Sequence, residues 1–149
     1  MTEVFTSPDQ QDDPFNLERF LDAQENVYLQ VLSELRHGQK RTHWMWFVFP
    51  QIEGLGKSSM AQHYAIKSIE EAQCYLKHPV LGARLYECVD LVLAIAHRPI
   101  SEILGYPDDL KLQSSMTLFA QATDQNTPFL QVLNQYFDGE KDMATLNLL

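Results

Sequence analysis

The sequence predicts an all-α fold: a single compact, irregular bundle of about seven or eight helices. Three observations carry this expectation. Apolar residues recur every three to four positions through most of the chain. Helix start and stop signals punctuate that pattern at regular intervals. Strand-like composition is confined to one short segment, which has no clear second strand to pair with.

The elements follow in order. Residues 1–13 are polar and acidic and are expected to form a frayed arm ahead of one helical domain, 14–149. From Asn16, Leu17, Phe20 and Leu21 begin a short helix. Val27, Tyr28, Val31, Leu32 and Leu35 continue at helical spacing until Gly38 supplies a stop. The aromatic run His43 to Gln51 suits a buried strand by composition, but a buried helix from Thr42 to Pro50 is preferred for want of a partner strand. Ser68 and Glu71 form a Ser-x-x-Glu capping box that opens a helix to about Lys77. Pro79 suits the first position of the next helix, which carries Leu81, Leu85, Cys88, Val89 and Val92 and ends before Pro99. A turn of helix at Ser101 to Leu104 stops at Gly105. Asp108 is placed to cap a helix reaching about Ala122, Thr127-Pro128 starts another that ends at Gly139, and Asp142 caps a last one through Leu148.

Composition narrows the function classes. The chain has 149 residues, 45% hydrophobic and 21% charged, which suits one domain around one core. A net charge of −9 argues against a duplex nucleic-acid binder. Cys74 and Cys88 show no metal or disulfide spacing, so reduced, core-packed thiols are expected. Trp44 to Phe49 is too short to span a bilayer and Cys88 to Ala96 contains Asp90, so no membrane segment is expected. The N-terminal stretch has neither a basic nor an apolar signal region, and a cytoplasmic location follows as the expectation.

The charge is uneven. Residues 1–35 hold eight acids and one base, while residues 36–69 hold Arg36, Lys40, Arg41, Lys57 and Lys67 against Glu53 alone. That basic segment also contains His43, Trp44, Trp46 and the glycines of GLG. Cations, donors and flat rings in one stretch suit a phosphate or carboxylate attached to a ring system. The other reading is that these cations pair with neighbouring acidic helices.

Gly54-Leu-Gly56-Lys57-Ser58-Ser59 contains a GKS tripeptide, but Gln51 stands where a phosphate-binding P-loop needs its first glycine. A helix starting near Ser58 would still direct backbone donors at an anion. On the helix after Asp108, Lys111, Ser114 and Ser115 share a face. There a lysine would hold an anion or acidify a hydroxyl; alternatively the hydroxyls bond carbonyls one turn back. The histidines 37, 43, 63, 78 and 97 show no metal-ligand spacing, so neither a metal nor a cofactor is expected. His43, beside Arg41 and Trp44, is the best acid/base candidate.

The strings DPFNLERFLDAQ, HWMWFVFPQIEGLGKSSMAQHYAI, HPVLGARLYEC, PDDLKLQSSMTLFA and the closing D-x-x-TL resemble the bacterial and fungal family called domain of unknown function 1810. The resemblance covers Asp13 to Leu149 and implies one compact, mainly helical domain without an established activity. The calpastatin label sometimes given to such chains does not suit a sequence with core-forming helices throughout. Carried onto this chain, the family's strings single out His43, Trp44, Trp46, Gln51, Gly54, Gly56, Ser58, Tyr64, His78, Pro79, Gly82, Arg84, Asp108, Lys111, Ser114, Ser115 and Thr117. Lys57 and Gln113 stand where the family often has arginine.

The functional expectation is a site for a small anionic, nucleotide-like or phosphorylated ligand between the strings Arg41 to Tyr64 and Asp108 to Thr117. Arg41, Trp44, Trp46, Gln51, Gly54, Gly56, Lys57, Ser58, Arg84 and Lys111 would bind it. In a metal-independent hydrolase or transferase, His43 would move the proton and Ser114 or Ser115 would hold the substrate. The competing expectations are a protein-interaction module using the acidic face of Glu18, Asp22 and Glu25, and a purely structural use of the motif residues.

Overall fold

The computed structural model describes residues 13–95 and 97–149. Among them are ten helices and no β-strand: α1 (Glu18–Glu25), α2 (Tyr28–Arg36), α3 (Met45–Val48), α4 (Ser59–His63), α5 (Ile69–Lys77), α6 (Leu81–Leu93), α7 (Ile100–Leu104), α8 (Asp108–Ala122), α9 (Thr127–Phe137) and α10 (Met143–Leu148). The count is roughly in line with the expected bundle, and three of the ten, α3, α4 and α7, are single turns. No described helix is long and apolar enough to cross a membrane. The expected arm lies outside the described residues except for Asp13. Its carboxylate accepts from the N–H groups of Leu17 (2.6 Å) and Glu18 (3.1 Å) and so caps α1.

Cap chemistry sets most helix boundaries. Ser58 Oγ accepts from Ala61 N–H (3.1 Å) and Ser68 Oγ from Glu71 N–H (3.2 Å). The box at Ser68 is half formed, because the Glu71 carboxylate turns to the N–H of Lys67 (2.8 Å) instead of back to Ser68. Helix α6 starts at Leu81 rather than Pro79, since His78 Nδ1 takes the N–H groups of Val80 (3.1 Å) and Leu81 (3.2 Å). Helix α8 starts at Asp108, but that carboxylate does not cap it: it pairs with Lys40 and Lys111.

The largest departure is at the aromatic run. Instead of a helix over 42–50, only Met45–Val48 is helical. The Glu34 carboxylate captures the N–H of Arg41 (2.7 Å) and the N–H (3.1 Å) and hydroxyl (2.6 Å) of Thr42, which commits those residues to a loop. The strand tendency survives as one isolated parallel bridge, Ile52 with Ile66.

Helix α8 is the central element. It touches α5, α7, α9 and α10, and Leu112, Met116, Leu118 and Phe119 are fully buried on it. A line of rings runs through the core: Tyr64–Phe20 (5.8 Å between centroids), Phe20–Tyr75 (5.1 Å, edge-on), Tyr75–Phe119 (5.4 Å) and Phe119–Phe129 (6.0 Å). Such pairs contribute about 0.5–1.5 kcal/mol each beyond their area. The line ties α1 to α5, α8 and α9, and it ends at Tyr64, on the edge of a surface hollow.

Candidate functional site

The two polar strings do meet, though not as one cationic hollow. Lys40 Nζ lies 2.9 Å and Lys111 Nζ 3.4 Å from the two oxygens of Asp108. Lys40 also stands over the Trp44 ring (5.1 Å) and Lys111 over Trp46 (5.5 Å). Both lysines therefore have a carboxylate partner and a ring partner from the protein itself. Trp44 is buried and donates its Nε1–H to Glu34 (2.9 Å), so it serves the core rather than a ligand.

The other predicted cations go elsewhere. Arg84 donates to Gln24 Oε1 (3.2 Å) and covers the Tyr28 ring (4.6 Å). Gln24 in turn donates to the carbonyl of Phe47 (2.7 Å) and to Tyr75 Oη (3.2 Å). Arg84 thus braces α6 against α1. Arg41 is exposed, and among the described residues its guanidinium reaches only Gln39 (3.4 Å). It borders a hollow of about 230 Å³ that also contains Glu34. Glu34 is unsuited to an anion site. Burial would raise its pKa, but hydrogen bonds from the Thr42 hydroxyl, Arg41 N–H, Gln30 and Thr42 N–H together lower it to about 2. His43 is exposed, and Gln51 uses its carbonyl to accept Ile66 N–H (2.8 Å).

The serine pair is built into the interior. Ser114 Oγ donates to Asp142 Oδ2 (2.8 Å), an oxygen that also accepts from the Thr145 hydroxyl (2.6 Å). Asp142 N–H donates to Thr117 Oγ1 (2.9 Å). This network docks α10 onto α8 and accounts for the closing D-x-x-TL. Ser115 is fully buried, and its Oγ has no partner among the described residues. Gly54 adopts φ +107°, and a side chain there would press on Leu148, so the GLG loop is shaped to admit the C-terminal helix.

The residue the sequence reading passed over is Arg19. Its guanidinium is almost wholly buried and all five N–H groups are engaged. Nε donates to the carbonyl of His63 (2.9 Å), Nη1 to those of Phe15 (2.7 Å) and Asn16 (2.9 Å), and Nη2 to Ala65 (2.9 Å) and the Glu71 carboxylate (2.8 Å). One side chain therefore fixes Phe15–Asn16, the end of α4 and the start of α5 together. Asn16 is held at φ +54°, a conformation asparagine tolerates better than most residues.

These fixed segments enclose an open cleft of about 450 Å³, lined by Phe15, Asn16, Arg19, Ser59, Gln62, His63 and Lys67. Among the described residues no carboxylate lines it. Gln62 Nε2 donates to the Lys57 carbonyl (2.9 Å), which joins the GLGKSS loop to the cleft wall. Of the predicted binding residues, then, Lys57 and Ser58 support the wall from behind, while Arg41, Trp44, Trp46, Gln51, Gly54, Gly56, Arg84 and Lys111 do not line the cleft. The usable donors are Asn16, Ser59, His63 and Lys67, with Phe15 as an apolar face. Among the described residues no group of three or more His, Cys, Asp or Glu side chains is arranged to hold a metal ion.

A compact all-α domain braced by buried polar contacts, with a polar surface cleft framed by one saturated arginine, is the class these observations define. Residues 14–149 match the family of proteins of unknown function DUF1810, and the chain belongs to that family. It is similar to the crystal structure of the conserved hypothetical protein Rv1873 from Mycobacterium tuberculosis, with 58% sequence identity and a TM-score of 0.91. The similarity covers 92% of this chain and 98% of that one. No curated protein matches the chain.

Proposed function

We propose that this chain binds a small anionic ligand, nucleotide-like or phosphorylated, in the cleft between Phe15–Arg19 and Ser59–Lys67. The observation that carries the reading is the sign of the cleft. In a chain of net charge −9, its described lining holds Arg19, His63 and Lys67 and no carboxylate. Arg19 is neutralised by Glu71 and has no donor to spare, so it supplies the frame. Lys67 supplies charge, and Asn16, Ser59 and the His63 ring supply further hydrogen-bonding groups. A hollow of this size falls in the ordinary range for small-molecule sites, roughly 300–1,000 Å³.

This reading keeps the ligand class read from the sequence and moves the site. Lys40 and Lys111 already share Asp108, and Arg84 is spent on Gln24 and Tyr28. If the ligand is turned over, His63 rather than His43 is the imidazole placed to move a proton. The test is a thermal-shift panel of inorganic phosphate, nucleotides and phosphorylated metabolites. A ligand at about 100 times its Kd stabilises by roughly 2.7 kcal/mol, a shift of several degrees for a domain of this size. Lys67→Ala is expected to remove the response and Lys111→Ala to leave it. A flat panel, or a response lost with Lys111 and kept without Lys67, refutes the reading.

A further inference from the structure

Beside the cation-lined cleft lies a second hollow of about 490 Å³, and the two share Asn16, Arg19 and His63. Across this shared wall the electrical sign reverses. Lys67 and Ser59 line the first hollow, whereas Glu18, Asp22 and the ring of Tyr64 line the second. Glu18 and Asp22 stand one turn apart on α1, and among the described residues neither is in an ion pair. Glu18 lies in the first turn of α1, where the helix dipole favours an acid, whereas Asp22, one turn further on, is repelled by Glu18 and is not called for by helix formation. Both carboxylates are therefore open acceptors beside a hollow whose other half carries donors.

A bare phosphate or a compact dianion would use the first hollow and be repelled by the second. A ligand that carries an anion at one end and hydroxyl donors a few ångströms away would use both. Carboxylates recognise a ribose by accepting from its vicinal hydroxyls. We infer that the two hollows are one bipartite site for a ribonucleoside 5′-phosphate. Its phosphate sits against Lys67 and His63, and its ribose diol donates to Asp22 and Glu18 beside Tyr64. This rests on the anion-binding reading above and sharpens it from anion to ribonucleotide.

The experiment compares AMP, 2′-deoxy-AMP and inorganic phosphate by calorimetric titration against the wild-type chain, Asp22→Asn, Glu18→Gln and Lys67→Ala. Asp22 is exposed on α1, so its replacement leaves the fold intact, and Glu18→Gln provides a second, independent variant. The wild type is expected to bind AMP about tenfold more tightly than 2′-deoxy-AMP, the effect of one hydrogen bond to a charged acceptor. Either carboxylate substitution should lower AMP affinity toward the 2′-deoxy level and leave phosphate binding unchanged, whereas Lys67→Ala should weaken all three ligands. Equal affinity for AMP and 2′-deoxy-AMP, with phosphate binding intact, overturns the bipartite site and spares the anion cleft. Absence of binding by both AMP and phosphate overturns the anion cleft, and this inference with it.

Discussion

Replacing Arg19 with methionine keeps most of the side-chain stem and removes the guanidinium. Five hydrogen bonds go, to Phe15, Asn16, His63, Ala65 and Glu71. Several of those carbonyls border the cleft and can turn to water. Glu71 cannot: it is fully buried and would keep only the Lys67 N–H. A buried charge left without its partner costs about 3–5 kcal/mol. At roughly 2–4 °C per kcal/mol for a domain of this size, the melting temperature should fall by about 10 °C. Urea denaturation followed by far-ultraviolet circular dichroism measures the loss, and a double variant isolates its cause. If the stranded charge dominates, adding Glu71→Gln to Arg19→Met should recover part of the loss, because it removes the carboxylate. A loss below about 1 kcal/mol, or a double variant less stable than Arg19→Met alone, would refute the reasoning.

Two further outcomes follow from buried contacts. Glu34, held at about 2, lies below its ordinary value of 4.5, so its stabilisation is complete above about pH 5 and is lost as pH falls toward 2. The shift corresponds to about 3 kcal/mol at most. Glu34→Gln should flatten that limb of the stability-against-pH curve and lower stability at pH 7, and an unchanged acid limb would count against the Glu34 network. Gly82→Ala should be severe, because an added Cβ would sit 2.1 Å from the Leu76 carbonyl oxygen, which is backbone and cannot swing away. Overpacking of this kind costs about 1–3 kcal/mol or more, and a melting temperature within 2 °C or so of wild type would contradict the close approach.

Much of the fold was legible because helix ends are written locally. Ser58, Ser68, Gly38 and Gly105 act within a few residues of themselves, and the sequence shows those residues directly. The helix in the aromatic run is shorter than the sequence suggests because the partner that ends it is distant: Glu34 holds Thr42 and Trp44 from eight and ten residues away, and no window of periodicity registers that. The same limit governed the site. Lys111, Arg84 and Arg41 look alike as charges in a string, yet Asp108, Gln24 and open solvent give them three different roles. Ser114 and Ser115 read as reactive hydroxyls on a polar stretch, but α8 is the middle of the bundle and buries them. Arg19 was passed over for the converse reason. It is the one base among the first 35 residues, and nothing in the spacing announces four carbonyls and a carboxylate converging on it. The available signal was its position inside DPFNLERFLDAQ, one of the strings that carry the family resemblance.

The central claim is that an anion binds where Arg19 gathers Phe15–Asn16 and Ser59–Lys67. Titrating the isotope-labelled chain with inorganic phosphate while recording amide chemical shifts tests it most directly. Saturable shifts confined to residues 15–19 and 59–67, and absent in Lys67→Ala, are predicted. Shifts centred on Lys40, Trp46 and Lys111, or none at millimolar phosphate, would contradict it.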